Sequence, residues 1–372
     1  MKRLTVVHTA DIHLGKNRRY PDYLEQQRFM LEAILAVVDR LRQEPGLVWL
    51  VVAGDLFERN EDTNREEVAL FMTSLLIPAF ERARQDPDFF CFVIDGNHDR
   101  QPGEPPSVMS PFDGLSNQSV VLRSKLPLHL PEHRLLLVPF DHYREVDLRR
   151  LIAQHPSQFV VFHECLARMQ TDTGYSPPRD QDDYIEVENL IEDQIAGMFV
   201  GDIHRCQPLD RRRACWYSGS PITHDFGHRL PKGVLVHRFA LDSADRWVRD
   251  GEPELVDLPD DRIRSHHQLG KILVVDEIPM EFLRGFRSRY LNLTLTPDVY
   301  RTIDREIPEF FHCPTVSYEF VRDDVVEVMD EKVDDTVDQG AIVRWIDDNL
   351  LDLTAEERDD VKLRVFRDFA AR

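Results

Sequence analysis

No stretch of the chain approaches about 18 consecutive apolar residues, so the sequence predicts no helix that crosses a membrane. Cysteine is scarce. Its five residues, Cys91, Cys165, Cys206, Cys215 and Cys313, form no Cys-x-x-Cys pair. Scattered thiols argue against a disulfide framework or a zinc knuckle and fit a reducing cytoplasm. The opening residues Met1 to His8 carry charge but lack a long apolar stretch and a cleavage site, so no secretory leader is expected. Basic charge is also short: 46 Lys and Arg stand against 67 Asp and Glu, a net charge of −21. A protein that coats polyanions with its whole surface is normally basic, and this balance argues against one. What is present is a chain of 372 residues, 42% of them hydrophobic. That is enough for a real core and for two or three domains of ordinary size.

Short apolar, β-rich runs recur over the first 240 residues, each ending abruptly in polar residues. They lie at Leu4–His8, Val48–Ala53, Phe89–Ile94, Leu135–Phe140, Phe159–Phe162 and Met198–Val200, with later ones at Cys215–Tyr217 and Gly233–Phe239. Between the first two, Phe29, Ile34, Val37, Val38 and Leu41 recur at helical spacing and predict a helix over Tyr23–Leu41. Glu66–Arg84 reads as a second helix that Pro78 kinks or breaks. Alternating strands and helices predict a layered α/β domain over residues 1–240. Residues 241–333 read as an edge strand and linker followed by a small α+β domain. Its strands are expected around Ile272–Val275, Tyr290–Leu295 and Val316–Val321, with a helix at Met280–Arg287. Residues 334–372 read as a C-terminal helical segment, its second helix opened by the capping-box pattern Thr354-Ala-Glu-Glu357.

Five motifs follow predicted strands: Asp11-Ile-His13, Gly54-Asp55, Gly96-Asn97-His98-Asp99, His163-Glu164 and Gly201-Asp202-Ile-His204. Ligands of open α/β sheets collect at the carboxyl ends of strands. The set offers carboxylates, imidazoles and one amide without a thiolate, which suits Mn²⁺, Mg²⁺ or Fe²⁺ better than structural zinc. Two cations held close together need a shared anion, and Asp55 at a strand-to-loop corner is the best candidate. His98 could stabilise a transition state or protonate a leaving oxygen. Asp99 either orients His98 or closes the turn. A single Asp-x-His is weak evidence; five such motifs, each after its own strand, are not.

The array resembles the calcineurin-like metallophosphoesterases. Within them it is most similar to the SbcD and Mre-eleven nucleases. The resemblance rests on Val7-His-Thr-Ala-Asp-Ile-His-Leu-Gly15, Ala53-Gly-Asp-Leu-Phe57, Gly96-Asn-His-Asp99 and the turn Tyr217-Ser-Gly-Ser-Pro221. It covers about residues 1–240. It implies a layered β-sandwich core flanked by helices, with a small capping domain and a C-terminal helical segment. It implies that Asp11, His13, Asp55 and His204 hold one metal, that Asp55, Asn97, His163 and Asp202 hold the other, and that His98 is catalytic. The metal implied is Mn²⁺, with Mg²⁺ possible. The activity implied is a 3′-to-5′ exonuclease on duplex DNA and an endonuclease on single strands and hairpins. The partners implied are DNA, an SbcC-type coiled-coil ATPase bound by the C-terminal segment, and a second copy of the chain within a heterotetramer. The place implied is the cytoplasm of a bacterial cell, or of a host cell for a phage protein.

One departure stands out. The fifth motif of the family is usually Gly-His-x-His, and here Asp202 replaces the first His. Asp202 then either ligates metal directly or orients a neighbouring ligand. Two other classes share these residues: a phosphomonoesterase or cyclic-nucleotide phosphodiesterase, and a non-catalytic scaffold for DNA ends. Charge is uneven along the chain. Residues 201–240 hold seven basic and three acidic side chains, whereas residues 301–372 hold ten and twenty. Arg205, Arg211, Arg212 and Arg213, with Lys16, Arg18 and Arg19 after the first motif, are candidate contacts to a phosphate backbone. The alternative is a solvated loop that balances nearby acid. The apolar face Leu70, Phe71, Leu75 and Leu76 is a candidate dimer contact or ordinary core.

Overall fold

The computed structural model describes residues 2–16, 18, 23–59, 63–100, 107–141, 143–171, 185–191, 193–224 and 230–258, together with the backbone of three later strands. The chain forms two compact units. One comprises Met1–His224 and Leu230–Ile263, the other Asp225–Arg229 and Arg264–Arg372.

In the first unit the elements run β1 (Arg3–Thr9), α1 (Tyr23–Leu41), β2 (Leu47–Ala53), α2 (Arg65–Phe71), α3 (Ile77–Gln85), β3 (Phe89–Ile94), β4 (Val120–Arg123), β5 (Leu128–Leu130) and β6 (Leu135–Val138). They continue with α4 (Glu145–Gln154), β7 (Phe159–His163), β8 (Gly197–Gly201), β9 (Gln207–Pro208), β10 (Cys215–Tyr217), β11 (Val234–Leu241), β12 (Trp247–Arg249) and β13 (Glu254–Val256). One sheet has the order β12-β11-β1-β2-β3-β4, with β13 also on β11. The other has the order β5-β6-β7-β8-β10-β9. The central pairings β1–β2, β2–β3 and β3–β4 are parallel, as are β6–β7, β7–β8 and β8–β10. Antiparallel pairs finish the sheets at β11 and β5.

The sequence of β2, Leu-Val-Trp-Leu-Val-Val-Ala, shows why it lies at the centre. A strand buried on both faces reads as a continuous apolar run rather than an alternating one. Trp49, Val51 and Ala53 point into the layer between the sheets, where they meet Phe92, Phe159, Phe199 and Phe239. Val48, Leu50 and Val52 point the other way, onto a second core shared with α1, α2 and α3. A third core lies on the far side of the second sheet, under Leu148 and Ile152 of α4. The result is helix, sheet, sheet, helix: a β-sandwich flanked by helices, as expected.

The predicted second helix is longer and less regular than its sequence suggests. It comprises α2, a π-helical turn at Met72–Leu76, and α3. Pro78 sits in the first turn of α3, and the wide π turn before it absorbs the change in hydrogen bonding that a missing N–H imposes. Asn64 caps α2 in a capping box with Glu67. The face Leu70, Phe71, Leu75 and Leu76 is buried in the outer core, with Phe71 edge-on to Phe57 and Phe112. That face is therefore core packing and presents no open dimer contact. The single edge strand expected after Ala240 is two short ones, β12 and β13. The strand expected to reach Phe140 stops at Val138.

In the second unit, β14 (Ile272–Val274), β15 (Leu291–Leu295) and β16 (Val316–Phe320) form a parallel sheet in that order. These strands fall where the sequence placed them. The helix expected at Met280–Arg287, the C-terminal helical segment and Arg19 lie outside the described residues. Among the described residues no helix is long and apolar enough to cross a membrane.

Candidate metal centre

The carboxyl ends of β1, β2 and β3 in one sheet and of β7 and β8 in the other open onto one place. Asp11 and His13 follow β1, Asp55 follows β2, and Asn97 and His98 follow β3. His163 ends β7, and Asp202 and His204 follow β8. The two sheets thus supply the site jointly. Its corners are tight. Asp11, His13, Asp55 and Asp202 all take positive φ, at 53°, 51°, 51° and 107°. Such backbone costs on the order of 1–3 kcal/mol per residue and collects at functional sites. Two motif glycines are there because the backbone comes too close for a side chain. A Cβ on Gly96 would lie 2.1 Å from Asp55 Oδ1, and one on Gly54, at φ 88°, 2.2 Å from His163 Nδ1.

Asp11, His13 and His204 form one group of potential ligands, and Asp11, Asp55 and His163 another. His13 Nε2 lies 3.0 Å from His204 Nε2 and 3.8 Å from Asp55 Oδ2. On the other side, His163 Nε2 lies 3.3 Å from Asp55 Oδ1, 3.8 Å from Asp202 Oδ1 and 2.9 Å from Asn97 Oδ1. Asp55 stands between the two groups, where a bridging carboxylate belongs. His163 Nδ1 donates to the Ala53 carbonyl at 2.8 Å, which turns Nε2 toward Asp55 and Asp202. With Asn97 Oδ1 turned inward, its oxygen faces that nitrogen. The reversed amide would donate to Asp55 and His163 instead. Asp202 donates its backbone N–H to Asp11 Oδ1 at 3.1 Å, and its carboxylate takes a hydrogen bond from the Cys165 thiol.

The electrostatics describe a pocket that seeks positive charge. Burial pushes the Asp11 carboxyl up to about 7, and Asp55 and Asp202 add to the rise, against the pull of His163. Burial likewise raises Asp202. Burial opposes a charged ring at His163, yet Asp55 and Asp202 outweigh it and hold that imidazole well above its ordinary range. His13 is raised in the same way, against burial, by Glu58, Asp55 and Asp11. Asp55 also resists burial: the imidazoles of His163 and His13 keep it below the usual carboxylate range. Asp11 Oδ2 is buried and has no hydrogen-bond partner among the described residues. An orphaned carboxylate oxygen, imidazole nitrogens in close opposition and an oxygen–nitrogen donor set fit divalent metal ions.

His98 stands at the open side, 37% exposed, with Nε2 4.0 Å from Asp55 Oδ2. Its Nδ1 lies 2.6 Å from the carbonyl of Glu58, and its backbone N–H donates to Asp55 Oδ1. Asp99 does not touch this imidazole. Its carboxylate accepts from the backbone N–H groups of Leu56, Phe57 and Gly96 at 3.1, 2.7 and 2.8 Å. With both oxygens occupied it clamps two motif loops together, which fits the loop-closing alternative offered by the sequence.

Two neighbours were not assigned from the sequence. Glu58 places Oε2 3.0 Å from His13 Nδ1 and Oε1 3.0 Å from Lys16 Nζ. The buried ring of His224 donates from Nε2 to the Asp11 carbonyl at 2.8 Å and lies edge-on to His13 and His204. The only sequence signal for Glu58 was its place three residues after Asp55. Tyr217, in the Gly-Ser turn, donates to the Glu164 carbonyl and accepts from the Leu166 N–H, fixing the loop after His163. Ser220 N–H, in the same turn, donates to the His204 carbonyl.

Several candidate phosphate contacts have acidic neighbours. Lys16 pairs with Glu58, Arg18 with the buried Glu67, Arg212 with Asp193 and Arg213 with Glu252. Arg211, Arg212 and Arg213 are exposed, and Arg205 is half-buried.

No curated protein matches the chain in sequence. A solved structure described as a novel archaeal phosphodiesterase aligns with 68% of this chain and 99% of its own, at 9% identity and a TM-score of 0.29. The calcineurin-like phosphoesterase pattern matches residues 4–256, which spans both sheets and all five motifs. The chain belongs to the calcineurin-like phosphoesterases, a family of metal-dependent phosphoester hydrolases.

Proposed function

We propose that the chain is a two-metal DNA nuclease of the SbcD type. It would act as a 3′-to-5′ exonuclease on duplex DNA and an endonuclease on single strands and hairpins, in break repair or recombination. The observation that carries the reading is the meeting of the two sheet ends. It sets His13 and His204 on one side of Asp55, and His163, Asn97 and Asp202 on the other, with His98 at the open edge. Asp11, His13, Asp55 and His204 would hold one ion, and Asp55, Asn97, His163 and Asp202 the second. Mn²⁺ suits this mixed set of carboxylate, amide and imidazole best, with Mg²⁺ as a substitute. Bound metals supply an activated water and neutralise charge on the phosphoryl oxygens.

The protein's own part is positional. Asp55 keeps its negative charge because imidazoles flank it. The Glu58 carbonyl accepts from His98 Nδ1, which turns Nε2 outward, and with a proton on that nitrogen as well the imidazolium would give it to the leaving oxygen. Arg205 and Arg211 to Arg213 would align a backbone without reading sequence. The C-terminal segment would bind an SbcC-type ATPase, two copies of the chain completing a heterotetramer in the cytoplasm. The motif set and the exposed arginines favour a polymer over a small phosphoester. The test is cleavage of duplex and single-stranded DNA with Mn²⁺, with and without the ATPase, beside nitrophenyl phosphate and His98→Ala. Hydrolysis of the small ester alone would assign a phosphomonoesterase. DNA binding without hydrolysis would assign a scaffold.

A further inference from the structure

We infer that Glu58 is a positioning residue of the centre, its carboxylate setting the His13 imidazole for metal and its main-chain carbonyl setting His98. The inference rests on the metal-dependent reading of the site and not on DNA as substrate. His13 can present Nε2 to a cation only if the proton sits on Nδ1, and Glu58 Oε2 lies 3.0 Å from that atom, at ion-pair distance. The second oxygen is 3.0 Å from Lys16 Nζ, which holds the carboxylate in its charged form and fixes its rotamer. The main chain is pinned as well, since Glu58 N–H donates to the Leu14 carbonyl at 2.8 Å, one residue past His13. The Glu58 carbonyl meets His98 Nδ1 at 2.6 Å. One residue therefore meets Nδ1 of two imidazoles, a prospective ligand and the prospective acid. The side chain of Glu58 is only 17% exposed, so it is committed to this place. A carboxylate behind a ligating histidine also makes the ring a stronger donor, and removing such a group lowers metal affinity about 10–100-fold.

The two halves of the role separate by substitution, because Glu58→Ala removes the carboxylate and keeps the carbonyl. Calorimetric titration of the full chain with Mn²⁺ alone should show affinity falling from parent to Glu58→Gln to Glu58→Ala, by about 10–100-fold at the end of the series. Hydrolysis of bis(nitrophenyl) phosphate, a diester probe, should recover at saturating Mn²⁺ to within about threefold of the parent kcat, because His98 keeps its partner. Glu58→Gln preserves shape, so it decides the matter if Glu58→Ala does not fold. Mn²⁺ affinity within about twofold of the parent in folded Glu58→Gln and Glu58→Ala would overturn the positioning role. So would a kcat that stays depressed at saturating metal. Failure of the parent to cut DNA would count against the nuclease reading alone and leave these comparisons standing.

Discussion

Nε2 of His13 and Nε2 of His204 lie 3.0 Å apart, with their rings inclined at 68°. They come from loops 191 residues apart, in different sheets. Two ring nitrogens cannot rest lone pair to lone pair at this distance, so they share either a proton or a cation. His13 has its second nitrogen on Glu58, which leaves Nε2 for that shared charge. The sandwich thus brings together a centre that neither sheet contains alone.

Metal occupancy depends on protons. The Asp11 carboxyl has an ordinary value of 3.8 and is raised by burial to about 7. The unfolded chain therefore releases this proton near pH 4, and the metal-free fold holds it to about pH 7. Stability from this group falls as pH rises across that window. His13 and His163 are also raised, so their contribution too is lost as pH climbs through their folded values. In chelator, the melting temperature is expected to fall between pH 5 and pH 8. Mn²⁺ binding, which displaces protons, should reverse that trend. A chelated protein whose melting temperature rises over this range would contradict the assignment.

Asp202 tests the departure from the commoner Gly-His-x-His. With Oδ1 3.8 Å from His163 Nε2, it is placed to join the second group of ligands. Asp202→Asn should lower Mn²⁺ affinity at least about tenfold at neutral pH, measured by competition with a metal indicator. Equal occupancy at equal free Mn²⁺ would remove Asp202 from the ligand set.

Gly96 tests the closeness of the backbone. A Cβ there would sit 2.1 Å from Asp55 Oδ1, so Gly96→Ala must displace the central carboxylate. Metal binding is expected to be lost while the sandwich core stays folded, as circular dichroism and titration together would show. Trp49→Ala should do the reverse. It opens a cavity between the sheets at a cost of about 3–5 kcal/mol while leaving every ligand in place.

Much of this was legible in the sequence, for physical reasons. β1, β2 and β3 are buried on both faces and announce themselves as unbroken apolar runs. α1 shows its buried stripe from Phe29 to Leu41. The motif residues were found because each ends a strand. What stayed hidden lacks such a signature. β5 and β9 are edge strands of three and two residues with no fully buried position. α4 buries only Leu148 and Ile152 and has no side-chain cap at its start. Glu58 and His224 acquire their roles through contacts that only the folded chain makes. Asp99 sits in the most informative motif, where closing the turn was one of two expected roles, yet its bonds to the Leu56 and Phe57 N–H groups appear only when the loops of β2 and β3 are seen together.

The exposed arginines bear on substrate. Joint substitution of Arg211, Arg212 and Arg213 by Gln should weaken DNA binding and flatten its salt dependence, by about 0.9 in logarithmic slope for each phosphate no longer neutralised. Filter binding across a salt series measures this. An unchanged slope would leave Arg212 and Arg213 as ion-pair partners of Asp193 and Glu252 and give the three no part in DNA binding.

The most direct measurement is Mn²⁺-dependent cleavage of DNA by the purified chain, with and without an SbcC-type ATPase, compared between parent and His98→Ala. The account predicts cleavage by the parent, its loss in chelator, and a fall of about 10²–10⁴-fold in His98→Ala with Mn²⁺ binding unchanged. Cleavage that survives in His98→Ala at the parental rate, or a parent that binds Mn²⁺ and leaves every phosphodiester intact, would contradict it.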